Sequence, residues 1–245
     1  MRELSLGALV CALLAVGVGV ARADTIVSGD ANITAGLISG GPVETAGNQQ
    51  FFDNILGSGD TVLVEGGYLS FHVWVNTYYD NQTGVSSSLL TGDITTNALS
   101  GVDLFVSILP ASSYTASEIS AMSAFEAAGG TLFFLGENGG FTDYNGRINA
   151  ALSSIGSSLS IQNGLLDSGA NWATGTQVAS YSLTSGVSSF VYGYTSAVSG
   201  GDALFYTSNG TAFVAVEAVP EPATLALFGL GVGALALRRR RRKLA

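Results

Sequence analysis

The sequence is poor in the residues that reactive-site chemistry draws on most often. Of 245 residues, one is cysteine (Cys11), one is histidine (His72) and four are proline. Basic charge is scarce and badly distributed. Of nine Lys and Arg, only Arg147 lies between Asp24 and Val219. That stretch holds all but Glu3 and Glu221 of the 18 acidic residues, so 16 acids face one base and the net charge is −15. A nucleic-acid binder needs the opposite sign. Apolar residues reach 47%, which excludes a disordered acidic chain. One His and one Cys cannot assemble a zinc site. No Gly-x-Ser-x-Gly elbow follows a strand, so a Ser-His-Asp hydrolase would lack its nucleophile turn. No catalytic residue is assigned, and the expectation leans away from an enzyme.

The ends pose a different physical problem from the middle. Met1-Arg2 gives a short positive start, and residues 4–20 (LSLGALVCALLAVGVGV) form an uncharged, mostly apolar run. Ala21-Arg22-Ala23 supplies the small-x-small pattern that a signal peptidase requires. A signal peptide over 1–23, cleaved after Ala23, is expected. Cys11 lies inside it, so the mature chain keeps no thiol for disulfides, nucleophilic catalysis or metal binding.

At the other end Val219-Pro220-Glu221-Pro222 precedes ATLALFGLGVGALAL, residues 223–237, and then Arg238, Arg239, Arg240, Arg241, Arg242 and Lys243. Fifteen helical residues span roughly 22 Å, short of the ~30 Å hydrocarbon core, a mismatch that local thinning and flanking side chains can absorb. The basic cluster would act as a stop-transfer signal and hold the tail on the cytoplasmic side. The two prolines keep the junction extended, as a processing enzyme requires.

This order of parts resembles the bacterial PEP-CTERM sorting signal, recognised by exosortases, over residues 218–245. The resemblance implies a protein exported by a Gram-negative bacterium that makes exopolysaccharide. Such a protein is held in the inner membrane as an intermediate, cut near the motif, and delivered to the cell envelope, the extracellular space or a biofilm matrix. Signal peptidase, exosortase and exopolysaccharide are the partners it implies; nucleic acid is not among them.

Residues 24–217 read as one α/β domain without an internal linker or repeat. Val102–Leu109 is a mostly apolar run typical of a strand covered on both faces. Thr115 and Glu118 form a capping box, Ile119, Met122 and Phe125 follow at helical spacing, and Gly129-Gly130 ends the helix. TLFFL, residues 131–135, is the next strand. Asp143 or Asn145 can cap a second helix whose Ile148, Ala151, Leu152 and Ile155 make one stripe, closed by Gly156. Leu159–Ile161 reads as a third strand of the same parallel unit. Upstream, 48–56 looks helical and 61–65 extended. Tyr68–Val75 (YLSFHVWV) alternates as a strand, with His72 on its more polar face. Downstream, 177–183, 190–194, 203–206 and 212–216 are short β-rich runs that complete the sheet or add an antiparallel edge.

The stretch VDLFVSILP…SEISAMSAFEAAGGTLFFLGEN…NGRINAALSSIG resembles class I glutamine-amidotransferase-like domains over about 60 residues. The resemblance implies a flavodoxin-like parallel sheet with helices on both faces, here followed by a β-rich C-terminal part. Catalytic members carry a Cys nucleophile on a tight strand-to-helix turn. This chain offers Gly136-Glu137-Asn138 there instead, so the activity is not carried over.

A parallel sheet binds ligands beyond the carboxyl ends of its strands. The candidate ligand loop is therefore Glu137, Asn138, Asp143 and Asn145 with the adjoining Arg147. Its oxygens could coordinate Ca²⁺, although Asp143-x-Asn145-Gly146 lacks the further ligands of an EF-hand; a solvated loop with a helix cap is the alternative. No other metal or cofactor is expected. Arg147 could clamp a carboxylate or sugar acid, or pair with Glu137 or Asp143. The functional expectation is an exported envelope or matrix protein with a structural or binding role. The alternatives are an exopolysaccharide-acting hydrolase, with clustered carboxylates near 137–143, and a Ca²⁺-dependent carbohydrate binder.

Overall fold

Short apolar runs separated by amphipathic helices can bury both faces of a sheet only if the helices divide between the two sides. The computed structural model has that arrangement and describes residues 23–37 and 46–218. The expected signal peptide and C-terminal hydrophobic helix lie outside the described residues, Ala23 apart. Among the described residues no helix is long and apolar enough to cross a membrane.

The strands of the main sheet are β1 (Asp24–Ser28), β2 (Thr61–Gly66), β3 (Ser86–Leu89), β4 (Leu104–Ile108), β5 (Thr131–Leu135), β10 (Asp202–Tyr206) and β11 (Ala212–Ala218). Their order is β10-β11-β1-β5-β4-β2-β3. The five strands from β1 to β3 run parallel, while β11 and β10 form an antiparallel edge beside β1. The helices are α1 (Ala46–Leu56), α2 (Phe71–Asp80), α3 (Ala116–Ala127) and α4 (Thr142–Ile155).

Strand alternation sorts the core into two layers. Ile26, Val64, Val106 and Phe133 point to one face, where Phe51, Phe52 and Ile55 of α1 and Phe71, Val75 and Tyr79 of α2 cover them. Val27, Leu63, Phe105 and Phe134 point to the other, under Met122 and Phe125 of α3 and Ile148 and Leu152 of α4. The first layer is rich in aromatics: Phe51 meets Phe133, Phe190 and Phe205 edge-on, with centroids 6.2, 5.4 and 5.0 Å apart.

Local signals work well around α3. The Thr115 side chain accepts from the Glu118 amide at 3.3 Å while Glu118 accepts from the Thr115 amide at 2.8 Å. Gly129 follows α3 at φ +102, and Gly156 closes α4 at φ +89. At the start of α4 the expectation needs correcting. Phe141 stands at the N-cap, Asp143 falls in the first turn, and Asn145 is buried one turn inside the helix.

Two larger corrections concern strands. Tyr68–Val75 is no strand: Ser70 opens α2, whose Phe71, Val75 and Tyr79 recur every four residues and are buried. The aromatic and β-branched residues there suit a strand in isolation, but β2 and β3 are parallel neighbours, and such a pair requires a crossover between them. Residues 159–161 extend into β6 (Ser160–Leu166), which leaves the parallel sheet and pairs antiparallel with β9 (Thr195–Ser199). A further ribbon joins β7 (Asn171–Thr174) to β8 (Ser189–Tyr192). Residues 177–183 form short 3₁₀ turns with one isolated bridge, Val178 to Phe205, in place of a strand.

Candidate functional site

Strand order reverses between β2 and β4, since β2 leads outward to β3 and β4 leads the other way to β5. Beyond the carboxyl ends of these two strands lies a topological switch point, where open α/β sheets bind ligands. Two polar groupings occupy this end of the sheet, one beneath the surface and one at it.

The buried grouping joins β1 to β5. Asp30 is fully buried; its carboxylate accepts from the Asn32 and Gly193 amides, both at 2.7 Å. Glu137, 2% exposed, accepts from Asn32 Nδ2 at 2.8 Å and from the Asn138 amide and Nδ2 at 2.9 Å. Asn145 reaches back from α4, accepting from the Glu137 amide at 3.0 Å and donating to its carbonyl at 2.7 Å. Ser196 Oγ donates to the same carbonyl at 2.9 Å. Burial raises Asp30 to about 7 against the pull of its amide donors. Burial and then the neighbouring Asp30 raise Glu137 to about 8. One shared asparagine therefore bridges two carboxyls that hold a proton near neutral pH. The loop after β1 closes on β9 at Gly29, where a Cβ would stand 2.1 Å from the Ser196 carbonyl oxygen.

The surface grouping lies over the switch point. Glu65 at the end of β2 accepts from Ser107 at the end of β4 and, at 3.1 Å, from Tyr114 of the following loop; burial raises its carboxyl above the ordinary range. Outside this, three rings form a wall. Tyr68 lies 5.5 Å from Phe141 and 5.4 Å from Tyr144, with Phe141 and Tyr144 6.0 Å apart. Tyr68 is 40% and Leu69 55% exposed. Arg147 lies 5.0 Å above the Tyr144 ring and donates to the Pro110 carbonyl at 2.7 Å. Leu69 and Leu109 both adopt left-handed φ values, +58 and +46, which non-glycine residues rarely hold outside functional loops.

The expected ligand loop is thus only partly assembled. Glu137, Asn138 and Asn145 come together, but their oxygens are turned on one another and on backbone amides: Asn138 Oδ1, for instance, accepts from Gly140. Asp143 is exposed and stands apart from buried Glu137, so these two acids do not face each other across a cleft. Arg147 engages Tyr144 and Pro110 rather than either acid. Among the described residues no three His, Cys, Asp or Glu converge as a metal site. His72 packs against Gly66 in the first turn of α2, with Nδ1 buried and unpaired. Asp30, Glu65, Phe141 and Tyr144 are not marked as site residues by sequence, and Tyr68 enters only as an aromatic neighbour of His72 that could help hold a sugar ring. Asp30 and Tyr68 stand two residues past β1 and β2, and Glu65 lies at the end of β2, which is the signal that could mark them; Phe141 and Tyr144 carry none.

The far end of the sheet carries the first and last described residues. In the β1–β11 pair, Asp24 stands opposite Ala218, so the start of β1 and the end of β11 lie side by side. From that point a comparison with protein families matches residues 218–242 to the PEP-CTERM protein-sorting motif. The chain carries a PEP-CTERM sorting signal. Such a signal marks an exosortase-sorted protein, exported to the cell envelope or beyond. No curated protein matches the chain. Among solved structures the mmIFT52 N-terminal domain is similar, at 17% identity and a TM-score of 0.47, over 54% of this chain and 70% of that one. The likeness to glutamine-amidotransferase domains finds no counterpart among the family matches.

Proposed function

We propose that the body of this protein is a non-catalytic structural or binding domain, delivered outside the cell by removal of both ends. The supporting observation is the pairing of Asp24 with Ala218 directly before the matched sorting signal. A chain with a hydrophobic segment at each end could sit in one membrane only if both segments leave the folded body at the same edge. Here they do. Signal peptidase would cut at the start of β1 and exosortase close after the end of β11, with the inner membrane as the intermediate location. The strand order β3-β2-β4-β5, with β1 in the next place, supports a flavodoxin-like reading of the body over residues 24–217. A binding role is favoured over hydrolysis because Glu137 is enclosed while Asp143 is exposed, which leaves the loop without the paired, water-accessible carboxyls that glycoside cleavage needs.

Intact mass of the protein from the extracellular and membrane fractions of hosts with and without exosortase tests this reading. A species beginning at Asp24 and ending near the Pro-Glu-Pro segment is expected in the first, and one retaining the hydrophobic tail in the second. Full-length chain remaining in the cytosol of both would overturn it.

A further inference from the structure

We infer that the wall formed by Tyr68, Phe141 and Tyr144, with Arg147 at its edge, binds a neutral saccharide chain. The inference rests on the reading of the body as an exported binding domain and names the ligand of its switch point. The apolar face of a pyranose needs an exposed ring to pack on and donors around it for the hydroxyls. Tyr68 supplies the exposed ring, and its contacts to Phe141 and Tyr144 hold it in place. Gly67 fixes the loop beneath: its amide donates to the Ile108 carbonyl at 3.2 Å, and a Cβ there would stand 2.1 Å from the Ala111 nitrogen. Donors are present at the rim. Arg147 commits one N–H to Pro110, leaving most of its five without a partner among the described residues.

Charge decides between sugars. The 24–218 stretch carries one base against 16 acids, and this field repels polyanions. Asp143, one turn before Arg147 on α4, is exposed and offsets the single cation. An acidic polymer is therefore disfavoured, while a neutral one meets no penalty. Size argues against a protein partner: Tyr68, Leu69 and Val73 are the exposed large apolar residues here, whereas a stable protein interface takes ~800 Å² on each side. A cleft of about 400 Å³ is lined by Leu99, Ala121 and Phe125 at the opposite end of the sheet. Its one carboxylate, Asp103, is taken up by the Asp60 and Thr61 amides. The wall, by contrast, lies at the end of the sheet away from Ala23 and Ala218.

The test uses the exported protein, with cellohexaose, laminarihexaose and mannohexaose as neutral probes, hexagalacturonate as the anionic one and a hexaglutamate peptide as the non-sugar control. Calorimetry and saturation-transfer NMR are expected to give saturable binding of at least one neutral hexaose, with transfer from tyrosine rings. Tyr68→Ala should weaken it roughly tenfold, and Tyr68→Phe should stay within about twofold, because stacking and not the hydroxyl carries the contact. Tyr68→Ala should stay folded, with its melting temperature lowered by no more than the loss of two ring contacts. Failure of all three neutral probes, tighter binding of hexagalacturonate or hexaglutamate, or full binding by a folded Tyr68→Ala protein would each overturn the inference. So would a dimer in sedimentation that Tyr68→Ala dissolves. A correctly processed and exported protein that binds no hexaose ends the ligand alone; an unprocessed cytosolic chain ends the sorting reading alone.

Discussion

The two ends of the same parallel strands treat acidic residues in opposite ways. At the amino end Glu217 accepts from Ser157 Oγ at 2.6 Å and from the Ser158 amide and hydroxyl at 2.8 and 2.9 Å. These donors outweigh what little burial it has and hold it below the usual carboxylate range. At the carboxyl end Asp30, Glu65 and Glu137 are all driven up, chiefly by burial. Glu126, half-buried beside Thr25, is the amino end's exception, raised for the same reason. The difference teaches what each end is built for. At the amino end the Ser157 and Ser158 donors hold Glu217 in its ionised form beside the paired ends of β1 and β11, where Asp24 is buried as well. At the carboxyl end, Asp30, Glu65 and Glu137 are taken out of water and crosslink loops under the switch point, while Asp143 stays exposed one turn from Arg147.

The largest expected effect lies in the pH dependence of the Asp30–Glu137 pair. Their pKa values are raised in the folded state, so their contribution is fully present below the unfolded values near 4 and is lost as pH rises through about 7 and 8. Urea unfolding from pH 4.5 to 8.5 should register stability that falls steadily as pH rises. In the Asp30→Asn, Glu137→Gln double variant the slope should flatten whatever the absolute stability. A double variant with the parent's slope would place the proton uptake elsewhere. Second in size is Asn145→Ala. It strands the Glu137 amide and carbonyl, although Ser196 still serves the carbonyl, and should cost about 2 kcal/mol in urea unfolding. A loss below about 0.5 kcal/mol would mean that water takes over both bonds.

How much of this could be read from the chain varies with the range of the interaction. The capping box at Thr115 and Glu118, the TLFFL strand and the Gly156 stop are local, and each is found where sequence puts it. Tyr68–Val75 misleads because its residue types suit a strand while its spacing, with Phe71, Val75 and Tyr79 buried, suits a helix. Only the parallel pairing of β2 and β3 decides, and that pairing joins residues 25 positions apart. The site is less legible still. Asn32 carries no local mark of its role, yet its Nδ2 donates to Glu137 and to the Gly193 carbonyl, 105 and 161 residues away. Of the ligand loop, Glu137, Asn138 and Asn145 do meet, but as a buried crosslink. Tyr68 and Tyr144 come together across 76 positions, and nothing in either local sequence announces the contact.

The smallest effect sharpens the comparison most, because its sign is reversed. Glu217 is lowered in the folded state, so its contribution is present above the unfolded value and lost as pH falls through the folded one. It is partly exposed, and solvent screening holds the contribution under about 0.5 kcal/mol. Glu217→Gln should therefore leave stability at pH 8 nearly unchanged, and below pH 4 the variant and the parent should unfold alike. Chemical-shift titration of the Glu217 carboxyl reads the sign directly. A midpoint above 4.5 would mean that the Ser157 and Ser158 donors do not favour the ionised form, and the contrast between the two ends of the sheet would then reduce to burial alone.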